Sequence, residues 1–113
     1  MKRGEVRWYT FNPPDKRRPV LILTRSSAIS YLNAVSIAPI TTTIRNIPSE
    51  VFLSVEDGLI TDCAANLDNI QTVVKSKVGA LITSLPTERM VEVNQAIRFA
   101  LGLDELTGTT EEF

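Results

Sequence analysis

The sequence predicts a mainly β fold with a C-terminal helix: a small, strongly bent antiparallel sheet, or partly closed barrel, with the helix against one end. Three observations predict it. Five or more short strand-like segments are separated by short turns, and apolar spacing changes from two to three or four residues after Pro86. The chain has 113 residues, of which 43% are hydrophobic, enough for one core and too few residues for a second domain. Closure into a barrel would also limit exposed strand edges.

Residues 5–11 alternate, with Val6, Trp8 and Thr10 on one face and Arg7, Tyr9 and Phe11 on the other, which is the period of a strand. Residues 12–18 follow as a loop of turn residues ending in three successive cations, Lys16, Arg17 and Arg18. Residues 19–24 are a continuous apolar run too short for a globular helix, so a central strand is expected there with Pro19 at its start. Ser26 and Ser27 are placed to cap a short helical turn over 28–32, and residues 33–40 return to an extended strand. The hydroxyls of Thr41, Thr42 and Thr43 then cluster at a strand exit. Val51, Leu53 and Val55 alternate with Phe52 and Ser54 as a fourth strand, and Glu56-Asp57-Gly58 is a turn with glycine where positive φ is tolerated. Residues 64–74 hold at least one further strand before a turn at Lys75-Ser76-Lys77. From Pro86, the residues Met90, Val93, Ile97 and Leu101 form one apolar face of a helix, with Gly102 as a left-handed stop and Leu103 packing back. Residues 1–103 thus read as one domain, and 104–113 as a mobile acidic tail.

Several chemistries are excluded outright. The chain has no histidine and one cysteine, Cys63, so it has no internal disulfide, no Cys/His zinc set and no histidine acid/base catalyst. No apolar run approaches the ~20 residues that span a bilayer, and the N-terminal residues are charged, which predicts a soluble cytoplasmic protein. The formal net charge of −1 is unevenly distributed. Residues 1–25 carry seven basic and two acidic groups, whereas 104–113 carry four acidic groups and no basic one. A body whose positive charge gathers at its N-terminal end suits a polyanion in a local groove, although short charge runs are also ordinary solvated surface.

Arg18 stands before Pro19, which biases its backbone toward extended geometry and projects the guanidinium from a restricted position. A planar five-donor fork suits phosphate oxygens; the plainer alternative is a surface arginine closing a loop salt bridge. A threonine hydroxyl at a strand end can donate to a phosphate oxygen, and threonine is equally a common strand residue. Asp15, Glu56, Asp57 and Asp62 show no ligand-like loop and read as turn and surface residues, so neither a metal nor any other cofactor is expected. Cys63, followed by two alanines, reads as a small buried hydrophobe. Trp8, Tyr9 and Phe11 could stack on bases, but at most one face of their strand is free.

An ordered series of segments now carries a resemblance. Lys2-Arg3-Gly4-Glu5-Val6-Arg7-Trp8, Arg18-Pro19-Val20-Leu21-Ile22-Leu23, Ala38-Pro39-Ile40-Thr41-Thr42-Thr43, Ile47-Pro48-Ser49-Glu50-Val51, Asn66-Leu67-Asp68-Asn69-Ile70-Gln71-Thr72-Val73 and Ala100-Leu101-Gly102-Leu103 together resemble the MazF/PemK family of toxin endoribonucleases across residues 2–103. The resemblance implies an SH3-like β-barrel, a homodimer, cleavage of single-stranded RNA at short motifs, and neutralisation by a cognate antitoxin. It places the family's catalytic arginine on Arg18 and its catalytic threonine on Thr41. It also implies that the loops 12–17 and 42–46 line the RNA groove, with Lys16, Arg17 and Arg45 on phosphates and Thr42, Thr43 and Gln71 as further RNA contacts. Two departures stand out: the loop 12–17 lacks the longer Gly/Ser/Glu segment common in relatives, leaving Asp15 as the candidate for proton transfer, and Gln71 replaces an arginine. Two rivals remain on the residues alone: a CcdB-like toxin of the same fold that poisons a topoisomerase without cutting RNA, and a noncatalytic RNA-binding barrel.

Overall fold

The computed structural model describes residues 1–14 and 16–106. These form seven strands, β1 (Glu5–Thr10), β2 (Arg17–Ile22), β3 (Ala34–Thr41), β4 (Glu50–Leu53), β5 (Cys63–Asn66), β6 (Gln71–Val74) and β7 (Leu81–Ser84), with a short helix α1 (Ser26–Ile29) and a long one α2 (Thr87–Ala100). All pairings are antiparallel, in the order β4-β5-β3-β2-β1-β7, with β6 also on β3. β3 is the branch point: its first half pairs with β6 and its last two residues with β5.

Period two gives the curled sheet two apolar faces. On the inner face Val6, Leu21, Ala38, Ile40, Val51 and Leu53 meet Val93 and Ala96 of α2, which forms the main core. On the other face Val20, Ile22, Val35 and Ile37 pack with Ile29 of α1 and with Tyr9 and Phe11. The mainly β barrel with a terminal helix is therefore as expected, and the glycine stop of α2 is as read: Gly102 has φ 67°, Gly102 N donates to Phe99 O at 3.2 Å and Leu103 N to Arg98 O at 2.8 Å. Leu101 and Leu103, expected to pack, are exposed instead and join neither core cluster.

Other details differ from expectation. β2 starts at Arg17, not at Pro19, because Arg17 and Arg18 pair with Thr10 and Tyr9 of β1; Arg18 lies within a strand instead of at a loop junction. Ser26 and Ser27 do not cap α1, whose N-cap is Arg25 without a side-chain bond; Ser26 Oγ instead accepts Arg3 N at 2.9 Å. Residues 64–74 hold the end of β5 and all of β6, separated by a 3-10 turn at Leu67–Asn69, and β7 was not foreseen. Of the expected tail, residues 107–113 lie outside the described residues.

β7 helps close the barrel against the turn after β4. Thr83 Oγ1 donates to Asp57 O at 3.2 Å, and a Cβ on Gly58, whose φ is +94°, would collide with Thr83 Oγ1. Asp57, read from sequence as surface, is buried here and accepts from Ser54 N at 3.0 Å and from Arg89 Nε of α2 at 2.9 Å, so it ties the same turn to the helix. Gly58→Ala should therefore cost about 1–3 kcal/mol through forced left-handed backbone and crowding. A lowered urea midpoint checks this, and Thr83→Ala in the same chain should recover only the crowding by the hydroxyl and methyl, because the Thr83 Cβ, 2.7 Å from the added Cβ, stays in place.

Candidate active site

The β2–β3 ladder runs from Ile22 opposite Ile37 to Val20 opposite Pro39 and stops there. Pro19 and Pro39 supply no N–H to extend it. Beyond that point β2 continues with β1 alone, while Ile40 and Thr41 of β3 pair with Ala65 and Ala64 of β5. The register, carried two pairs further, would set Arg18 opposite Thr41. The strands part instead, and a groove of about 230 Å³ opens between them, lined by Arg18, Pro39, Thr41, Thr43, Arg45, Asn66 and Asn69. Arg18 and Thr41, singled out separately by chemistry, thus share one groove.

The electrostatics of the groove favour an anion. No carboxylate lines it among the described residues, and none of the described carboxylates pairs with Arg18. The Arg18 guanidinium carbon lies 5.9 Å from the centroid of the Phe11 ring, an aromatic face that steadies the cation without neutralising it. Thr41 Oγ1 accepts the backbone N–H of Thr43 at 3.1 Å, which leaves its own O–H to donate outward. Arg45 is held from behind: Glu50, whose side chain is only 3% exposed, accepts Arg45 N at 2.9 Å and Nε at 3.0 Å, which frees the terminal guanidinium nitrogens for a ligand. Asn66 Oδ1 accepts Asp68 N at 3.0 Å, so its amide nitrogen is the part left to donate.

The remaining candidates divide by position. Thr43 and Arg45 line the groove with Arg18 and Thr41; Thr42, exposed, instead borders a separate apolar cavity. Arg17, one residue before Arg18 in β2, projects to the opposite face and lies 4.1 Å over the Trp8 ring. Lys16 is exposed at the entrance to β2 and does not line the groove. Gln71 stands opposite Ile37, on the groove's face of the sheet but outside its lining. Asp15 lies outside the described residues. Asn66 and Asn69 were missed as site residues, because amides flanking a short turn read as turn formers and only the pairing of Thr41 with Ala64 brings that turn beside the threonine cluster.

Two residues left out of the chemistry fit the plainer reading. Cys63 lies in the main core, donates to Leu53 O at 3.8 Å, and has its thiol pushed up to about 11 by burial and then by the nearby charges of Asp62 and Asp57. Such a thiol is a small core group. Tyr9 and Phe11 meet edge to face with centroids 4.8 Å apart and support the sheet beneath Arg18. Among the described residues, no three His, Cys, Asp or Glu side chains gather as a metal-holding set, and no helix is long and apolar enough to cross a membrane.

Comparison with known proteins places the family and the fold. Residues 2–101 match the family described as PemK-like, MazF-like toxin of type II toxin-antitoxin system. A curated relative, probable endoribonuclease MazF2 of Mycobacterium tuberculosis, is 37% identical over 103 residues, covering 90% of this chain and 99% of the relative. Among solved structures, Mycobacterium tuberculosis toxin MazF-mt6 superposes with a TM-score of 0.82 at 35% identity, over 89% of this chain and 99% of that one. A mycobacterial endoribonuclease in complex with its cognate antitoxin gives 0.81 at 29% identity, over 91% and 96%.

Proposed function

This chain belongs to the PemK-like, MazF-like toxin family, and from that membership we propose that it cuts single-stranded RNA with Arg18 and Thr41 as its catalytic pair. It is an endoribonuclease toxin of a toxin–antitoxin system, acting on messenger RNA in the cytoplasm as a homodimer and neutralised by a cognate antitoxin. Relatives named as endoribonucleases disfavour both the topoisomerase poison and the noncatalytic barrel.

RNA supplies its own nucleophile. The 2′-oxygen attacks the adjacent phosphorus and loses its proton, the bond to the 5′-oxygen breaks, and that oxygen takes up a proton. The products are a 2′,3′-cyclic phosphate and a 5′-hydroxyl end. Negative charge builds on the non-bridging oxygens at the transition state, and a preorganised donor aimed there lowers the barrier most. Arg18 presents two parallel N–H donors to those oxygens, and the Thr41 hydroxyl, oriented by the Thr43 N–H, adds a third. Arg45 and the Asn66 and Asn69 amides hold the neighbouring phosphate, which fixes the strand in register.

The observation that carries this reading is the convergence of Arg18 and Thr41 on one groove without a described carboxylate. Incubating the purified protein with a long single-stranded RNA in excess chelator tests it. Discrete cuts with 5′-hydroxyl ends are expected, and RNA left intact would return the chain to the two rival readings.

A further inference from the structure

Thr41 borders two concavities. Besides the groove, it lines a second cavity of about 230 Å³ that opens on the other side of β3. Trp8, Ile40, Leu59 and Ile82 wall this cavity, and the exposed Thr42 and Ile60 stand at its rim. We propose that it takes a nucleobase of the RNA, one that flanks the phosphate held by Arg18 and Thr41, and that it reads this base by shape instead of by its hydrogen-bonding edge. The inference rests on the endoribonuclease reading and extends it to sequence preference.

Position argues for a base. Thr41 lines both concavities, so a phosphate held against it from the groove side lies one side chain away from the cavity. Single-stranded RNA has unstacked bases free to be splayed into such a space. Chemistry argues for it too. The indole of Trp8 offers an aromatic wall, and the Arg17 guanidinium, 4.1 Å above that ring, fixes the indole and adds a cation beside the path of the strand. Arg17 and Arg18 then divide the work by strand alternation, one at the base and one at the phosphate.

The mode of reading follows from the walls. Their side chains are almost wholly apolar, so they offer a base edge few hydrogen bonds, and any edge buried there would lose its water. The base must enter with its ring against the walls and its polar edge toward the rim, where the Thr42 and Thr61 hydroxyls are exposed. A nonpolar ring of the same outline should therefore serve as well as the natural base, and an empty sugar should not.

Short RNAs with a single cleavage site test this, carrying the natural base, a nonpolar isostere or an abasic sugar at each nucleotide beside the scissile linkage. At one of the two positions, the abasic substitution should lower kcat/KM by about tenfold or more, while the isostere stays within about threefold of the natural base. Ile60 is 82% exposed, so Ile60→Phe narrows the rim without threatening the core; it should slow the natural substrate and leave the abasic one unchanged. Trp8 is the sole tryptophan, so its fluorescence reports occupancy directly. With a 2′-deoxy block at the scissile sugar, natural and isosteric strands should quench it and the abasic strand should not. Equal cleavage of abasic and natural strands at both positions overturns the proposal and leaves the nuclease standing. Quenching by the antitoxin but not by RNA assigns the cavity to the protein partner and overturns it as well. If the natural strand itself is not cut, the nuclease reading falls and takes this inference with it.

Discussion

Arg18→Ala should lower RNA cleavage by roughly a hundredfold to a thousandfold, the usual loss when a preorganised donor to a developing oxyanion is removed. The fold should be intact, because Arg18 is half-exposed and belongs to neither core cluster. Arg18→Lys separates charge from geometry. An ammonium keeps the field but loses the two parallel donors, so it should recover only a small part of the rate. Binding of an uncleavable RNA should weaken much less than the rate falls, and the slope of log affinity against log salt should drop by about one phosphate contact. Arg17→Ala is the informative neighbour. It removes an equal charge one residue away, but on the other face of β2, stacked on Trp8 and outside the groove. Long-range attraction alone would make the two variants alike; the groove geometry makes Arg18→Ala far worse. Cleavage at the same sites by Arg18→Ala within about threefold of the parent rate would remove Arg18 from the chemistry.

The route from sequence to this site was uneven, for physical reasons. Chemistry marked Arg18 and Thr41, since a guanidinium before proline and a hydroxyl at a strand exit are local features. Their convergence is not local. It depends on a register in which Val20 faces Pro39, and on two prolines that stop the ladder where the groove has to open. The opposite orientation of Arg17 and Arg18 is plain once β2 begins at Arg17; placing the strand's start at Pro19 hid it and left both arginines in an undifferentiated basic loop. Residues 5–11 were readable because one face of β1 packs on the main core and alternation survives. β7 was not, since its four residues begin with Leu81 at 51% exposure and its place is set by pairing with β1 and by Thr83 against Gly58. The short helix shows the same competition: Ser26 has a good capping side chain, but tertiary contact with Arg3 N claims it. Asn66 and Asn69 carry turn chemistry and groove chemistry at once, and sequence reveals only the first.

Thr41→Val should reduce kcat by about tenfold to a hundredfold, the worth of one hydrogen bond to a charged group, with little change in KM. Valine keeps the volume and β-branching of threonine, so β3 and its pairing with Ala64 should persist. The Thr43 N–H that Thr41 Oγ1 now accepts becomes free, at an exposed position where water replaces the partner, so stability should hardly move. Thr41→Ser restores the hydroxyl and the same turn contact, and most of the rate should return. Affinity for an uncleavable RNA distinguishes the catalytic role from a merely structural one. If Thr41 only shaped the groove, valine would weaken binding and rate together. If it donates to the phosphate as charge builds, the loss falls on kcat, because that bond strengthens only as the transition state forms. Loss of affinity without a change in kcat would assign Thr41 to strand binding and leave Arg18 as the sole catalytic donor.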